Sequence, residues 1–161
     1  VTVTTDSDYT ASELKTIGAA TSGAITLNDT TVALSGSSSD LSTIFSETIT
    51  THTGTMTLTT NSVYTVDELK TINNKTTGAI TLNDTTVALS GDATDLAVAL
   101  AGTINHTGAV TLTTDSNYTL AELKTINNGT DGAITLNDTT VALSGDATDL
   151  AAALALSLIH I

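Results

Sequence analysis

The residues able to do chemistry are three histidines, a set of regularly placed aspartates and a series of Asn-x-Thr triplets. His52 and His106 stand 54 residues apart in matching surroundings, while His160 falls in an odd C-terminal stretch. One imidazole per repeat cannot assemble a metal centre from its own segment, so each is expected at a turn. Serine, histidine and aspartate are all present, but no Gly-x-Ser-x-Gly elbow occurs, and a triad would have to be built three times over. No catalytic residue is therefore expected. Asp84, Asp92 and Asp95 lie in acidic turns of the kind that suits Ca²⁺, which takes carboxylate and carbonyl oxygens. The EF-hand loop and the glycine-rich calcium nonapeptide are both missing, and helix capping already accounts for Asp92 and Asp95. No cofactor is expected, with calcium at these three aspartates as the alternative.

Asn28, Asn74, Asn83, Asn105, Asn117, Asn128 and Asn137 each open an Asn-x-Thr triplet. In a secreted chain each is an acceptor for an N-linked glycan. Threonine supplies 38 of the 161 residues, so such triplets also arise from composition and are then copied.

The elements that must position these residues come from repetition. Gly78-Ala-Ile-Thr-Leu-Asn-Asp-Thr-Thr-Val-Ala-Leu-Ser-Gly91 occurs letter for letter at 23–36 and again at 132–145. Tyr9, Tyr64 and Tyr118 head equivalent stretches, and Glu-Leu-Lys-Thr-Ile recurs from Glu13, Glu68 and Glu122. The period is 54 residues, giving segments 1–54, 55–108 and 109–155 and a pattern-breaking tail at 156–161. An active site is built once from residues unlike their neighbours; a regular repeat favours a scaffold or a multivalent surface.

Half of that period is also visible. Leu14 and Leu41 are 27 apart, as are Leu69, Leu96, Leu123 and Leu150. A Thr, Ser or Asp followed three residues later by Glu or Asp precedes each: Thr10/Glu13, Ser37/Asp40, Thr65/Glu68, Asp92/Asp95, Thr119/Glu122 and Asp146/Asp149. This is the form of a capping box, so six short helices are expected. Asn73-Asn74 and Gly102 should end two of them through left-handed backbone. Alternating strands are expected over 78–82 and 108–113, with a second strand over 87–89. Thr26, Thr57, Thr81, Thr111 and Thr135 would then line up outward as a ladder, flanked by Asn28, Thr59, Asn83, Thr113 and Asn137.

Neither a short helix nor a short strand buries its apolar face alone, so units must stack. The expected fold is an α/β solenoid of about six 27-residue coils, each a short helix plus short parallel strands, arranged as three 54-residue repeats. The alternative is three α+β mini-domains in tandem, although no linker separates the copies.

Composition narrows function further. The net charge is −13, with 17 acids against Lys15, Lys70, Lys75 and Lys124 and no arginine. That excludes a nucleic-acid binder, which needs a basic stripe, and disfavours an anionic membrane surface. No apolar run is long enough to span a bilayer. The absence of cysteine excludes disulfides and thiolate chemistry. The chain begins inside a repeat, as a cut-out piece would. Leu156–Ile161 resembles the translated adapter remnants that end truncated gene fragments, the alternative being a further strand.

Alternation of Gly-Ala-Ile-Thr-Leu strands with Asp-Leu-Ala or Glu-Leu-Lys helices resembles the tandem arrays of very large bacterial surface proteins, including those of cyanobacteria. The resemblance implies a secreted structural or adhesive role and carries no site residues. The expected function is a structural repeat of an extracellular filament or surface-protein shaft. Its partners are copies of itself, joined head-to-tail through Val1 and Val3 at one end and Leu150 and Leu154 at the other, as paired strand edges. The alternative is a multivalent adhesin at the cell surface, binding glycans through the Thr/Asn ladder, with Tyr9, Tyr64 and Tyr118 the available sugar-stacking rings.

Overall fold

The computed structural model describes residues 1–4, 9–59, 63–113 and 118–155. Among these, six helices alternate with short strands in an α/β fold. The helices are α1 (Ala11–Ala20), α2 (Ser38–Ser46), α3 (Val66–Asn73), α4 (Ala93–Ala99), α5 (Leu120–Gly129) and α6 (Ala147–Leu154). Each starts where the capping signal places it: Thr10, Ser37, Thr65, Asp92, Thr119 and Asp146 are the six N-caps. The reciprocal capping box forms only at Thr10/Glu13, Thr65/Glu68 and Thr119/Glu122. Ser37, Asp92 and Asp146 accept from the backbone of Asp40, Asp95 and Asp149, whose side chains are a methylene shorter than glutamate and make no return bond.

The helix ends follow the expectation less closely. Gly102 does take a left-handed φ of 76° after α4. Asn74 does not: it stays right-handed at φ −64° and ψ −19°. The Asn73 side chain instead reaches the next helix, donating to the carbonyls of Val98 at 2.6 Å and Ala101 at 3.0 Å. Asn127 does the same to Ala152 at 3.0 Å. The C-terminal carbonyls of α4 and α6 are thus satisfied by a neighbouring helix.

The strands are β1 (Thr2–Val3), β2 (Thr26–Leu27), β3 (Leu34–Gly36), β4 (Met56–Leu58), β5 (Ile80–Leu82), β6 (Leu89–Gly91), β7 (Val110–Leu112) and β8 (Ile134–Thr135). They pair in parallel as three small sheets, β1-β2, β3-β4-β5 and β6-β7-β8. Partners lie 24 residues apart where β1 meets β2, β4 meets β5 and β7 meets β8. Where β3 meets β4 the offset is 22, and where β6 meets β7 it is 21. Among the described residues the first two repeats therefore hold three strands each and the third holds two, and the chain passes from β5 in one sheet to β6 in the next across the Asn83–Thr86 turn.

Identical sequence does not give identical structure. Leu34-Ser35-Gly36 and Leu89-Ser90-Gly91 are strands, yet the same three residues at 143–145 are not. Their local propensities are equal, so the pairing partner about 22 residues downstream is what makes the strand.

Among the described residues the buried apolar side chains form one continuous core. Leu14, Leu41, Leu69, Leu96 and Leu123 are fully buried on their helices, and Met56, Leu58, Ile80, Leu82, Val110 and Leu112 face them from the strands. Burying each such side chain contributes roughly 1.5–3 kcal/mol. Consecutive helices pack on one another, α1 on α2 through to α5 on α6. Two kinds of polar link alternate along this row. Lys15–Asp40, Lys70–Asp95 (2.7 Å) and Lys124–Asp149 join the two helices inside a repeat. Ser38 to Glu68 (3.1 Å) and Thr94 to Glu122 (2.7 Å) join one repeat to the next. The ion pairs are partly open to solvent, so they set register more than they stabilise.

Candidate functional site

His52 and His106 are not turn residues. Each bridges in parallel to a threonine 24 residues on, Thr76 and Thr130, and both imidazoles are buried. His106 Nε2 lies 2.8 Å from the Val87 carbonyl and Nδ1 lies 2.9 Å from Thr130 Oγ1. A carbonyl only accepts, so Nε2 carries the proton and Nδ1 takes the threonine hydroxyl. The Tyr64 ring stands edge-on to His106 at 6.4 Å, and the Phe45 ring to His52 at 6.0 Å. The His52 ring nitrogens make no hydrogen bond of normal geometry. Burial holds both imidazoles below the usual histidine range, opposed at His52 by the nearby backbone of Val32 and Gly54 and by the Asp29 carboxylate. Each is a neutral core group. Spacing alone points to a turn because a lone polar residue between threonines looks solvated, and the partners of His106 lie 19 residues before it and 24 after it in the chain.

The tyrosines are engaged in the same way. Tyr9, Tyr64 and Tyr118 are buried, and each hydroxyl donates to the carbonyl of an aspartate 20 residues on: Asp29, Asp84 (2.8 Å) and Asp138. Burial, assisted by the aspartate charge, pushes the Tyr9 and Tyr64 phenols up to about 12. No tyrosine ring is presented for a sugar to stack on, and Phe45 is buried as well.

Asp84, Asp92 and Asp95 each serve the fold. Asp84 Oδ1 accepts from the backbone and hydroxyl of Thr86 at 2.9 and 2.6 Å, bonds that hold its carboxyl below the usual range. Asp92 caps α4, and Asp95 pairs with Lys70. Among the described residues no three histidine or acidic side chains form a group that could hold a metal ion.

The outward threonines do not form one ladder. Thr26 pairs with Thr2; Thr57 with Ser35 and Thr81; Thr111 with Ser90 and Thr135. The flanking row of Asn28, Thr59, Asn83, Thr113 and Asn137 is exposed and divides the same way. The cause is the handover from β5 to β6, which puts Ser90 where a continuous ladder needed Thr81.

Asn28, Asn74, Asn83, Asn105, Asn128 and Asn137 are all exposed, and Asn117 lies outside the described residues, as do His160 and the 156–161 tail. Of the residues expected at the two ends, Val1 and Leu154 are exposed while Val3 and Leu150 are half-buried. Leu150 and Leu154 belong to helix α6 rather than to a strand edge. Among the described residues no helix is long and apolar enough to cross a membrane.

Comparison with known protein families, with curated proteins and with solved structures finds no match for this chain.

Proposed function

We propose that this chain is a section of a structural repeat array, an α/β solenoid serving as the shaft of an extracellular filament or surface protein. The observation that carries this reading is the order of contact: every extensive pairing of elements joins neighbours along the chain, helix to next helix and strand to the next coil's strand. Such nearest-neighbour order lets length grow by adding repeats without altering any existing contact. The polar groups that might have served chemistry are spent on caps, turns and buried hydrogen bonds. The exposed asparagines would carry glycans on such a shaft without disturbing its core.

The reading is tested by small-angle scattering on this chain and on versions with one 54-residue repeat removed or added. A shaft should lengthen in equal steps at constant cross-section. A particle that grows in all directions, or repeats that tumble as separate beads, would refute it.

A further inference from the structure

His106 sits where three stretches of chain distant in sequence meet, and it is only 1% exposed. Nε2 donates to the Val87 carbonyl at 2.8 Å, and Nδ1 accepts from the Thr130 hydroxyl at 2.9 Å. The backbones around the ring touch. A Cβ at Gly132 would overlap the Gly108 carbonyl, and one at Gly108 would overlap the Val87 carbonyl. Few bonds hold this joint. His106 and Thr130 form a single isolated bridge, crossed by Asp131 N to His106 O at 2.9 Å. Thr107 N and Gly108 N both donate to Thr85 O, at 2.7 and 2.9 Å. Sturdier contacts flank it, the β6-β7-β8 sheet and the packing of α4 on α5.

A proton added at Nδ1 sets two donors face to face. The Thr130 hydroxyl already accepts from Gly132 N at 2.9 Å, so its hydrogen would have to turn to the Gly108 carbonyl, 3.4 Å away and beyond the usual length of an O–H bond. The imidazolium would also be a buried charge. The titratable groups around it offer no counterion. The Tyr64 ring stands edge-on at 6.4 Å with its hydroxyl on the Asp84 carbonyl, and the Asp84 carboxylate is turned to Thr86. Asp131, next to Thr130, is exposed to solvent. His52 differs, because the Asp29 carboxylate is near enough to favour its proton.

We propose that His106 is an acid-operated latch inside the fold: when it takes up a proton, residues 106–108 part from 130–132 and from 85–87, while the helices and the β6-β7-β8 sheet stay formed. Opening lets water reach the imidazolium and removes the cost of burying it. Burial holds His106 below the usual histidine range in the closed joint, and the open joint restores the ordinary value. The closed form is therefore favoured above pH about 6.5 and loses ground as pH falls below it, by up to about tenfold per pH unit. The latch goes beyond the shaft reading and does not depend on it, since every residue it uses lies within one chain.

The test is native-state hydrogen exchange on the 161-residue chain at about pH 7.5 and about pH 5.5, with small increments of urea and the His106 ring followed by NMR. As the ring takes up its proton, protection factors at Thr107, Gly108 and Asp131 should fall about tenfold, with little dependence on urea. Leu96 and Leu123 donate to the carbonyls of Asp92 and Thr119 at the starts of α4 and α5. Those two amides should stay better protected and show the steep urea slope of global unfolding. His106→Gln, which keeps a donor and an acceptor but takes up no proton, should remove the pH dependence at the three latch amides. One urea slope shared by the latch and helix amides in acid would overturn the latch, because opening would then be global. So would latch amides whose protection stays constant while the ring titrates, or a ring that stays neutral down to about pH 5.5. These three outcomes are read on the unaltered chain, so the latch stands or falls whether or not the variant folds.

Discussion

Thr130 Oγ1 stands 2.9 Å from His106 Nδ1, although the two residues are 24 apart in the chain and both are buried. The same threonine accepts from Gly132 N at 2.9 Å and lies 3.4 Å from Gly108 O. One hydroxyl thus ties together the segments around Gly108 and Gly132 and the His106 imidazole, and Val87 holds the other side of the ring.

That arrangement makes the fold acid-sensitive. Burial depresses the proton affinity of His106 and His52 below that of the unfolded chain, so near and below pH about 6.5 the unfolded state binds more protons. The stability tied to neutral imidazoles is present above that pH and is lost as pH falls through it. The groups facing His106 are Thr130, Val87 and the Tyr64 ring, none of them a charge that could hold the protonated form. Urea midpoints should fall steadily from about pH 7.5 to about pH 5.5, before the carboxylates titrate. His106→Gln should lower the midpoint at neutral pH and reduce the slope. An unchanged slope in the double variant with His52→Gln would show that the histidines are not its source.

Glycines mark where segments distant in the chain touch. A Cβ at Gly78 would overlap the Gly54 carbonyl, and one at Gly132 would overlap the Gly108 carbonyl. Gly23 heads the same fourteen-residue block, but its Cβ would meet nothing nearer than Thr21 Oγ1 at 3.6 Å. Gly78→Ala should therefore cost about 2–3 kcal/mol through forced backbone separation, while Gly23→Ala should be nearly neutral. Thermal melts of the two variants decide the matter, and equal losses would mean that the Gly54 segment does not approach closely at Gly78.

Much of this was legible in the sequence wherever the determinant is local. Thr65 and Glu68 cap one helix turn from three residues apart, so the pattern alone located all six helix starts. Alternation around Ile80 and Leu82 likewise predicts which side chains face inward. What the pattern could not supply depends on residues nineteen or more positions away in the chain. The β5-to-β6 handover breaks the threonine ladder because pairing offsets of 21, 22 and 24 are properties of packing, not of any one segment. His106 is buried because Val87 and Thr130 reach it, and Asn73 caps α4 rather than its own helix for the same kind of reason.

The tyrosine clamps predict behaviour in alkali. The Tyr9 and Tyr64 phenols are raised to about 12, above their unfolded value near 10. A raised folded value means that the clamps' stability is complete below pH about 10 and disappears as pH climbs from there toward about 12. Tyr64→Phe, which removes the bond to Asp84 O, should cost about 1 kcal/mol at neutral pH, since the carbonyl loses the phenol donor. It should also shrink the alkaline loss. A variant as stable as the parent at pH 7 would show that the clamp adds nothing beyond burial of the ring.

The three copies of Leu-Ser-Gly supply an internal comparison free of sequence effects. Leu34 N donates to Thr55 O and Leu89 N to Ala109 O, both at 2.9 Å, so these amides should exchange slowly with deuterated water. Leu143 has identical neighbours on both sides across the fourteen-residue block, and therefore the same intrinsic exchange rate. With no strand pairing among the described residues, it should exchange far faster. Site-resolved hydrogen exchange measures all three leucine amides at once, with Leu34 and Leu89 the protected references. Slow exchange at Leu143 in the dilute monomer would contradict the view that this strand exists only through its partner.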